Sequence, residues 1–292
     1  MGRDSSSRSG NGRRSPSAYA CLRVRRQGRI STVTMNRPQV FNALNVRHLE
    51  ELKRTFEEIG SERAVSVVIL EGAGGNFCSG ADMTLLAGEL DADQWRYIVW
   101  LMGSIIRAMR VAPQAIVTKI RGVAYGAGAN MALAGDFALA AHDARFCQSF
   151  VKLGAVLDGG GTYFLPRLAG MARAKELALL GEAVDGRTAA AMGLIHRSFP
   201  DERLDDEVRS LAEALLERSS AAIAEIKEGL ERSLGMSLEE ALEWEVARQT
   251  VRMTTPEVRE AGRRFYQAKT GKKRPGRGSG AQPSEHGARV KG

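Results

Sequence analysis

Two glycine-rich stretches restrict what this chain can fold into. One is Asn76-Phe77-Cys78-Ser79-Gly80-Ala81-Asp82, the other Arg121-Gly122-Val123-Ala124-Tyr125-Gly126-Ala127-Gly128-Ala129-Asn130. Each follows an apolar run of the kind that makes a buried strand, and each leads into a helical pattern. Small residues let a ligand approach the backbone closely. N–H groups at the start of a helix have no partner within it. Two such stretches converging on one carbonyl oxygen would form an oxyanion hole.

The surrounding pattern is α/β. Residues 19–25 and 30–35 alternate apolar and polar about Gln27-Gly28, which predicts a hairpin closed off by Asn36-Arg37-Pro38. Leu49, Leu52, Phe56 and Ile59 mark one face of a helix over 46–59. The run 65–70 is almost wholly apolar, as in a sheet covered on both faces, and feeds the first glycine-rich stretch. A helix over 94–111, stopped before Pro113, precedes a strand at 115–120 that feeds the second. A short helix over 130–134 and a strand over 137–141 follow. From Leu204 onward the pattern predicts helices over 203–218, 221–234, 238–253 and 256–267, with no further strand. These readings divide the chain into a basic extension (1–18), an α/β core (19–202), a helical C-terminal subdomain (203–268) and a basic tail (269–292). Both ends are expected to be disordered.

Charge is placed unevenly. The whole chain carries +8, but residues 1–29 hold eight Arg and one Asp (+7) and residues 269–292 hold seven Lys or Arg and one Glu (+6), which leaves residues 30–268 at −5. The basic character therefore belongs to the ends, and nucleic acid is not an expected partner of the fold itself. Cys21, Cys78 and Cys147 are too few and too scattered for a disulfide framework or a zinc site, and the four histidines show no metal spacing. No apolar run reaches the roughly 20 residues of a membrane span. A cytoplasmic protein is expected, with an Arg- and Ser-rich organelle leader as the alternative.

The ordered set of motifs resembles the crotonase (enoyl-CoA hydratase/isomerase) superfamily over about residues 19–268. It comprises Asn36-Arg37-Pro38 with Asn42-Ala43-Leu44, then Phe77 to Asp82, Gly122 to Asn130, Asp158-Gly159-Gly160-Gly161-Thr162 and Leu165-Pro166-Arg167-Leu168. Within the superfamily, the stretches 126–130 and 170–175 are especially similar to the phenylacetate-pathway epoxyphenylacetyl-CoA isomerases. The resemblance implies a ββα spiral core with a helical trimerisation region, a homotrimer or hexamer, and acyl-CoA thioester substrates. It implies no cofactor, because coenzyme A enters as part of the substrate.

By motif position the resemblance makes the Ala81 and Ala127 amides, with Gly80 and Gly126 before them, the grip on the thioester oxygen. It makes Asp158 the catalytic acid/base. The residues alone leave Asp158 open to a second reading, an Asx turn or helix cap. Ala43 is expected at the adenine, and Arg37, Arg47 and Lys269 are candidate phosphate contacts. Asp82 is read as a helix cap or a CoA contact. Glu182 is read mainly as a surface residue. Helix 94–111, with Trp95, Tyr97, Trp100 and Met102, is expected to roof the acyl pocket.

The departures matter as much. The two glutamates with which hydratases of this superfamily activate water align with Asn130 and Phe150, neither of them acidic. An isomerase shifting a double bond, or opening an epoxide, is therefore favoured over a hydratase in which Asp158 alone activates water. Asn130 is left to hydrogen-bond substrate or water. A non-catalytic binding module is the reading of another class.

Overall fold

A parallel sheet needs crossovers that bury both of its faces, and the apolar strands supply the interior surface. The structure, a computed structural model, describes residues 19–271. The extension expected over 1–18 lies outside them, as does the tail beyond Gly271. The hairpin is β1 (Leu22–Gln27) and β2 (Ile30–Met35), followed by α1 (Val46–Gly60), β3 (Val67–Gly72), α2 (Met83–Leu86) and α3 (Ala92–Val111). Next come β4 (Ala115–Ile120), β5 (Val123–Tyr125), α4 (Ala127–Leu133), β6 (Phe137–Ala141), β7 (Arg145–Cys147) and α5 (Gly161–Leu180). Then follow β8 (Val184–Asp185), α6 (Gly186–Ala191), β9 (Arg197–Phe199), α7 (Asp201–Leu216) and α8 (Ser220–Ser233).

The larger sheet has the order β1-β2-β3-β4-β6-β9, and a second sheet has the order β5-β7-β8. Only the β1–β2 pair of the larger sheet is antiparallel. Val67, Val68, Leu70, Ile116, Val117 and Ile120 are fully buried, as their unbroken apolar runs predict. Helix α1 is capped by the Asn45 side chain, which accepts from the His48 amide at 2.9 Å, and it buries Leu49, Leu52, Phe56 and Ile59. Helix α3 opens on a capping box between Asp91 and Gln94.

Two differences from the sequence reading have clear causes. The second glycine-rich stretch is partly strand (β5) and its helix begins at Ala127 rather than Asn130. Strands of two or three residues such as β5, β7 and β8 are too short to show an alternating pattern. The domain division also moves. The chain forms two compact units, the first ending at Arg232 and the second beginning at Ser233. Helix α7 belongs to the first, because Leu204, Val208 and Ala212, spaced four apart on one face, are all buried, and the helix packs on β3, β4, β6 and β9.

The second unit is a helix pair, α9 (Leu238–Met253) and α10 (Pro256–Thr270). A capping box between Ser237 and Glu240 starts α9, and a left-handed Gly271 ends α10. Helix α10 thus runs past the expected end at 267, and Lys269 is helical, its ammonium 5.3 Å from the centre of the Phe265 ring.

Candidate active site

The first glycine-rich stretch is extended and hydrogen-bonded on both sides. Toward the second stretch, the Phe77 amide donates to the Arg121 carbonyl (2.9 Å), the Cys78 amide to Val123 (2.9 Å) and the Tyr125 amide to Cys78 (2.9 Å). Toward the loop before α1, the Ser79 amide donates to Phe41 (3.0 Å), the Leu44 amide to Gly80 (2.8 Å) and the Asp82 amide to Leu44 (3.0 Å). Asn42 staples this arrangement. It is fully buried in the left-handed region (φ 58°), and its side-chain amide donates to the carbonyls of Ala73 and Asn76 at 2.9 and 2.7 Å. An asparagine tolerates that backbone conformation and supplies the donors.

Two glycines let the stretches close on each other. Gly80 has φ 91°, and a Cβ there would lie 2.8 Å from the Tyr125 carbonyl and 3.7 Å from the Ala127 nitrogen. A Cβ on Gly128 would lie 2.4 Å from the Cys78 carbonyl. Residue 81 is thereby brought beside residue 127. Among the described residues, neither the Ala81 nor the Ala127 amide has an acceptor. The Phe150 ring comes within 3.7 Å of the space a Cβ on Gly126 would take, so an apolar wall borders the second amide.

Asp158 stands at the turn into α5. One carboxylate oxygen is buried without a hydrogen-bond partner, and burial pushes its pKa up to about 6. Its backbone carbonyl is held by the Asn130 side-chain amide at 2.7 Å, and the Asn130 oxygen accepts from the Gln148 amide at 2.9 Å. A carbonyl only accepts, so the nitrogen of Asn130 must face Asp158. Asn130 lies one turn after Ala127 on α4, and so ties Asp158 to the same short helix that carries the Ala127 amide. In this arrangement Asn130 positions Asp158 rather than presenting its amide to a ligand. Asn130→Ala is expected to lower kcat about tenfold with little change in KM, because it frees the Asp158 turn and leaves a buried carbonyl unpaired. Steady-state kinetics check this. Gln148, buried at the end of β7, escaped the sequence reading; a lone glutamine in an apolar stretch carries no motif.

The remaining candidates are distributed as follows. The Arg37 guanidinium donates to the Ala43 carbonyl at 2.6 Å and to Asp82 at 2.8 Å, in a largely buried ion pair. Asp82 also caps α2 by accepting from the Thr84 amide at 3.0 Å, and these partners, working against its burial, hold its pKa below the usual carboxylate range. Arg37 and Asp82 are thus committed to each other and to the loops. Ala43 is buried and its carbonyl also meets the His48 ring at 3.2 Å. Arg47 is exposed and reaches Glu51 at 3.1 Å. Lys269 stands in the second unit. Glu182 is a surface residue, 3.1 Å from Lys152. Burial pushes the Cys78 thiol up to about 12, so it stays protonated and is no nucleophile.

On α3 the expected roof is only partly realised. Met102 packs against the Gly159 turn, 3.0 Å from the place of a Cβ there, beside Asp158. Tyr97 and Trp100 are 44% and 49% exposed and face α1, where the Tyr97 hydroxyl donates to Glu50 (2.8 Å) and the Lys53 ammonium lies 5.7 Å from the centre of the Trp100 ring. Helical spacing alone does not distinguish the two faces of a helix that is apolar on both.

Paired loop amides without acceptors beside one desolvated carboxylate make a site suited to holding an enolate. The profile of the enoyl-CoA hydratase/isomerase family matches residues 25–272. The chain belongs to that family. It is similar to the 1,2-epoxyphenylacetyl-CoA isomerase of Escherichia coli K12, with 33% identity over 74% of this chain and 84% of that one. It is equally similar to a Rhodobacter capsulatus protein named "Probable enoyl-CoA hydratase", at 34% identity over 76% of this chain and 85% of the relative. Among solved structures it resembles a Thermobifida fusca YX protein in complex with acetoacetyl-CoA, with a TM-score of 0.74 and 30% identity over 80% of this chain and 95% of the other. The fold is accordingly the crotonase fold. Among the described residues no helix is long and apolar enough to cross a membrane.

Proposed function

We propose that this member of the enoyl-CoA hydratase/isomerase family is an acyl-CoA isomerase. A 3-enoyl thioester enters with its carbonyl oxygen at the Ala81 and Ala127 amides. The Asp158 carboxylate takes a proton from Cα, and the C–H electron pair moves onto the thioester oxygen as an enolate. The two amides stabilise that charge. The carboxylic acid then returns the proton at Cγ, and the double bond ends between Cα and Cβ. Asp158 is thus regenerated, and no water is consumed. The same enolate chemistry applied to an epoxide next to the thioester would open the ring.

A single observation carries this reading: the Asp158 carboxylate is desolvated, and Asn130 and Phe150, the side chains that meet its turn and the second loop, are not acidic. A carboxylate with a pKa near 6 is ionised at neutral pH yet basic enough to return a proton. Ala43, close to the Arg37–Asp82 pair, is the proposed adenine contact, and Arg47 is a proposed phosphate contact. A homotrimer or hexamer is proposed as the working assembly. The similarity to a relative named as a hydratase supports the alternative, water addition with Asp158 as the base. Parallel assays with a 3-enoyl-CoA and a 2-enoyl-CoA in ¹⁸O-water separate the two. Conversion of the 3-enoyl substrate without label is the expected result. Label incorporated from the 2-enoyl substrate alone would make the enzyme a hydratase.

A further inference from the structure

A cavity of about 530 Å³ opens on the outer face of the larger sheet, and it shares no lining residue with the Ala81–Ala127–Asp158 site. Pockets that take small molecules commonly have 300–1,000 Å³. The floor follows from strand register. Arg23 pairs with Thr34, Thr34 with Glu71 and Glu71 with Lys119, so four strands place these residues in one row on one face. Arg25 and Thr32 are partners in the next row on that face. The turn at Gly74 and Gly75, both at positive φ, and Arg121 complete the rim.

The charges around this cavity are not evenly balanced. On one side, the Lys119 ammonium contacts Glu71 and lies 2.8 Å from Asp205, while Arg121 reaches Asp201 at 2.5 Å and Asp205 at 3.0 Å. On the other side Arg23 donates to the neutral Asn36 side chain. Among the described residues the Arg25 side chain makes no hydrogen bond or ion pair, and the Gly74 and Gly75 amides have no acceptor. Glu71, the single acidic lining residue, is already engaged by Lys119 and by the Thr34 hydroxyl at 2.9 Å. The polar groups not held by an acid are therefore mainly donors: two guanidinium forks, two backbone amides and the Thr32 hydroxyl, which can donate or accept.

Charges on an edge strand often serve only to block pairing with another sheet. That explains Arg26, which leaves the cavity to meet Glu62. It does not explain why Arg23 and Arg25 both line a concave space shared with unpaired glycine amides. We infer that this cavity is a binding site for a small phosphate-bearing anion, held by Arg23 and Arg25 on one side and the Gly74–Gly75 amides on the other. Arginine forks match phosphate oxygens in pairs. A nucleic-acid backbone is a poorer fit, because Asp201 and Asp205 stand beside the rim and would repel an extended polyanion.

The test is calorimetric titration of the full chain with pyrophosphate and succinate, against Arg25→Ala and the double variant Arg23→Ala/Arg25→Ala. Both side chains are exposed, and thermal melts check that the variants fold. Saturable binding of pyrophosphate is expected. It should weaken about tenfold in Arg25→Ala, vanish in the double variant, and exceed succinate binding. Turnover of an acyl-CoA should be unchanged in both variants, so this result stands apart from the isomerase reading. Phosphate binding equal in wild type and double variant places the anion elsewhere and overturns the inference. So does the lack of saturable binding by pyrophosphate, or a preference for succinate.

Discussion

Asp158→Asn lowers acyl-CoA turnover by a hundredfold or more, the usual order for losing a positioned base, while an unreactive acyl-CoA still binds. The amide keeps the size of the carboxyl group and removes only its ability to take a proton. Burial without a compensating cation pushes Asp158 up to about 6, so in wild type the reactive, ionised form is lost as pH falls below that value. kcat/KM should therefore rise with pH and level off above about 6, and the variant should lack that limb. Stability moves the opposite way. The folded-state pKa lies above the ordinary value of 3.8, so whatever stability Asp158 supplies is present below pH 3.8 and lost as pH rises through 6. At pH 8 the variant should be the more stable protein, by on the order of 2 kcal/mol. The difference should fade by about pH 4. Turnover unchanged by the substitution removes Asp158 from the mechanism. Equal stability at all pH values shows instead that the carboxylate is solvated.

Gly128→Ala separates the two loops without altering any ionisable group. The added methyl would sit 2.4 Å from the Cys78 carbonyl and 2.8 Å from both Cys78 Cβ and Sγ. None of these is the far end of a flexible side chain, so the backbone must move. Overpacking of this sort costs about 1–3 kcal/mol of stability. The larger expected effect is on catalysis. Cys78 is hydrogen-bonded to Val123 and Tyr125 and lies three residues before Ala81. Pushing α4 away from it misaligns the Ala127 amide against the Ala81 amide. Loss of one oxyanion donor lowers kcat about a hundredfold or more. Thermal melts and single-turnover kinetics read the two effects separately. A variant that melts lower but keeps its single-turnover rate would show that the 81–127 amide pair does not hold the charge.

The regular elements were legible wherever the pattern was long. The unbroken apolar runs of β3 and β4, the hairpin about Gly28, and the stripe of α1 all formed as their spacing predicts. Asp158, at a Gly-rich turn after an apolar stretch, also stood out, and the paired loops were legible from their small residues. The short strands were missed because two or three residues carry no period. Helix α7 was assigned to the wrong unit because an amphipathic stripe says that a face is buried, not against what.

Residue order alone determined the α/β class and the two glycine-rich loops, because each is written in local spacing and residue size. Only the tertiary structure decided how they work together. It set Asn130 behind Asp158 rather than in front of a ligand, and it locked Arg37 onto Asp82. It also turned Tyr97 and Trp100 toward α1 and aligned Arg23 to Lys119 across four strands. These are contacts between residues up to about a hundred positions apart. Their partners are chosen by packing and desolvation, which no local pattern encodes.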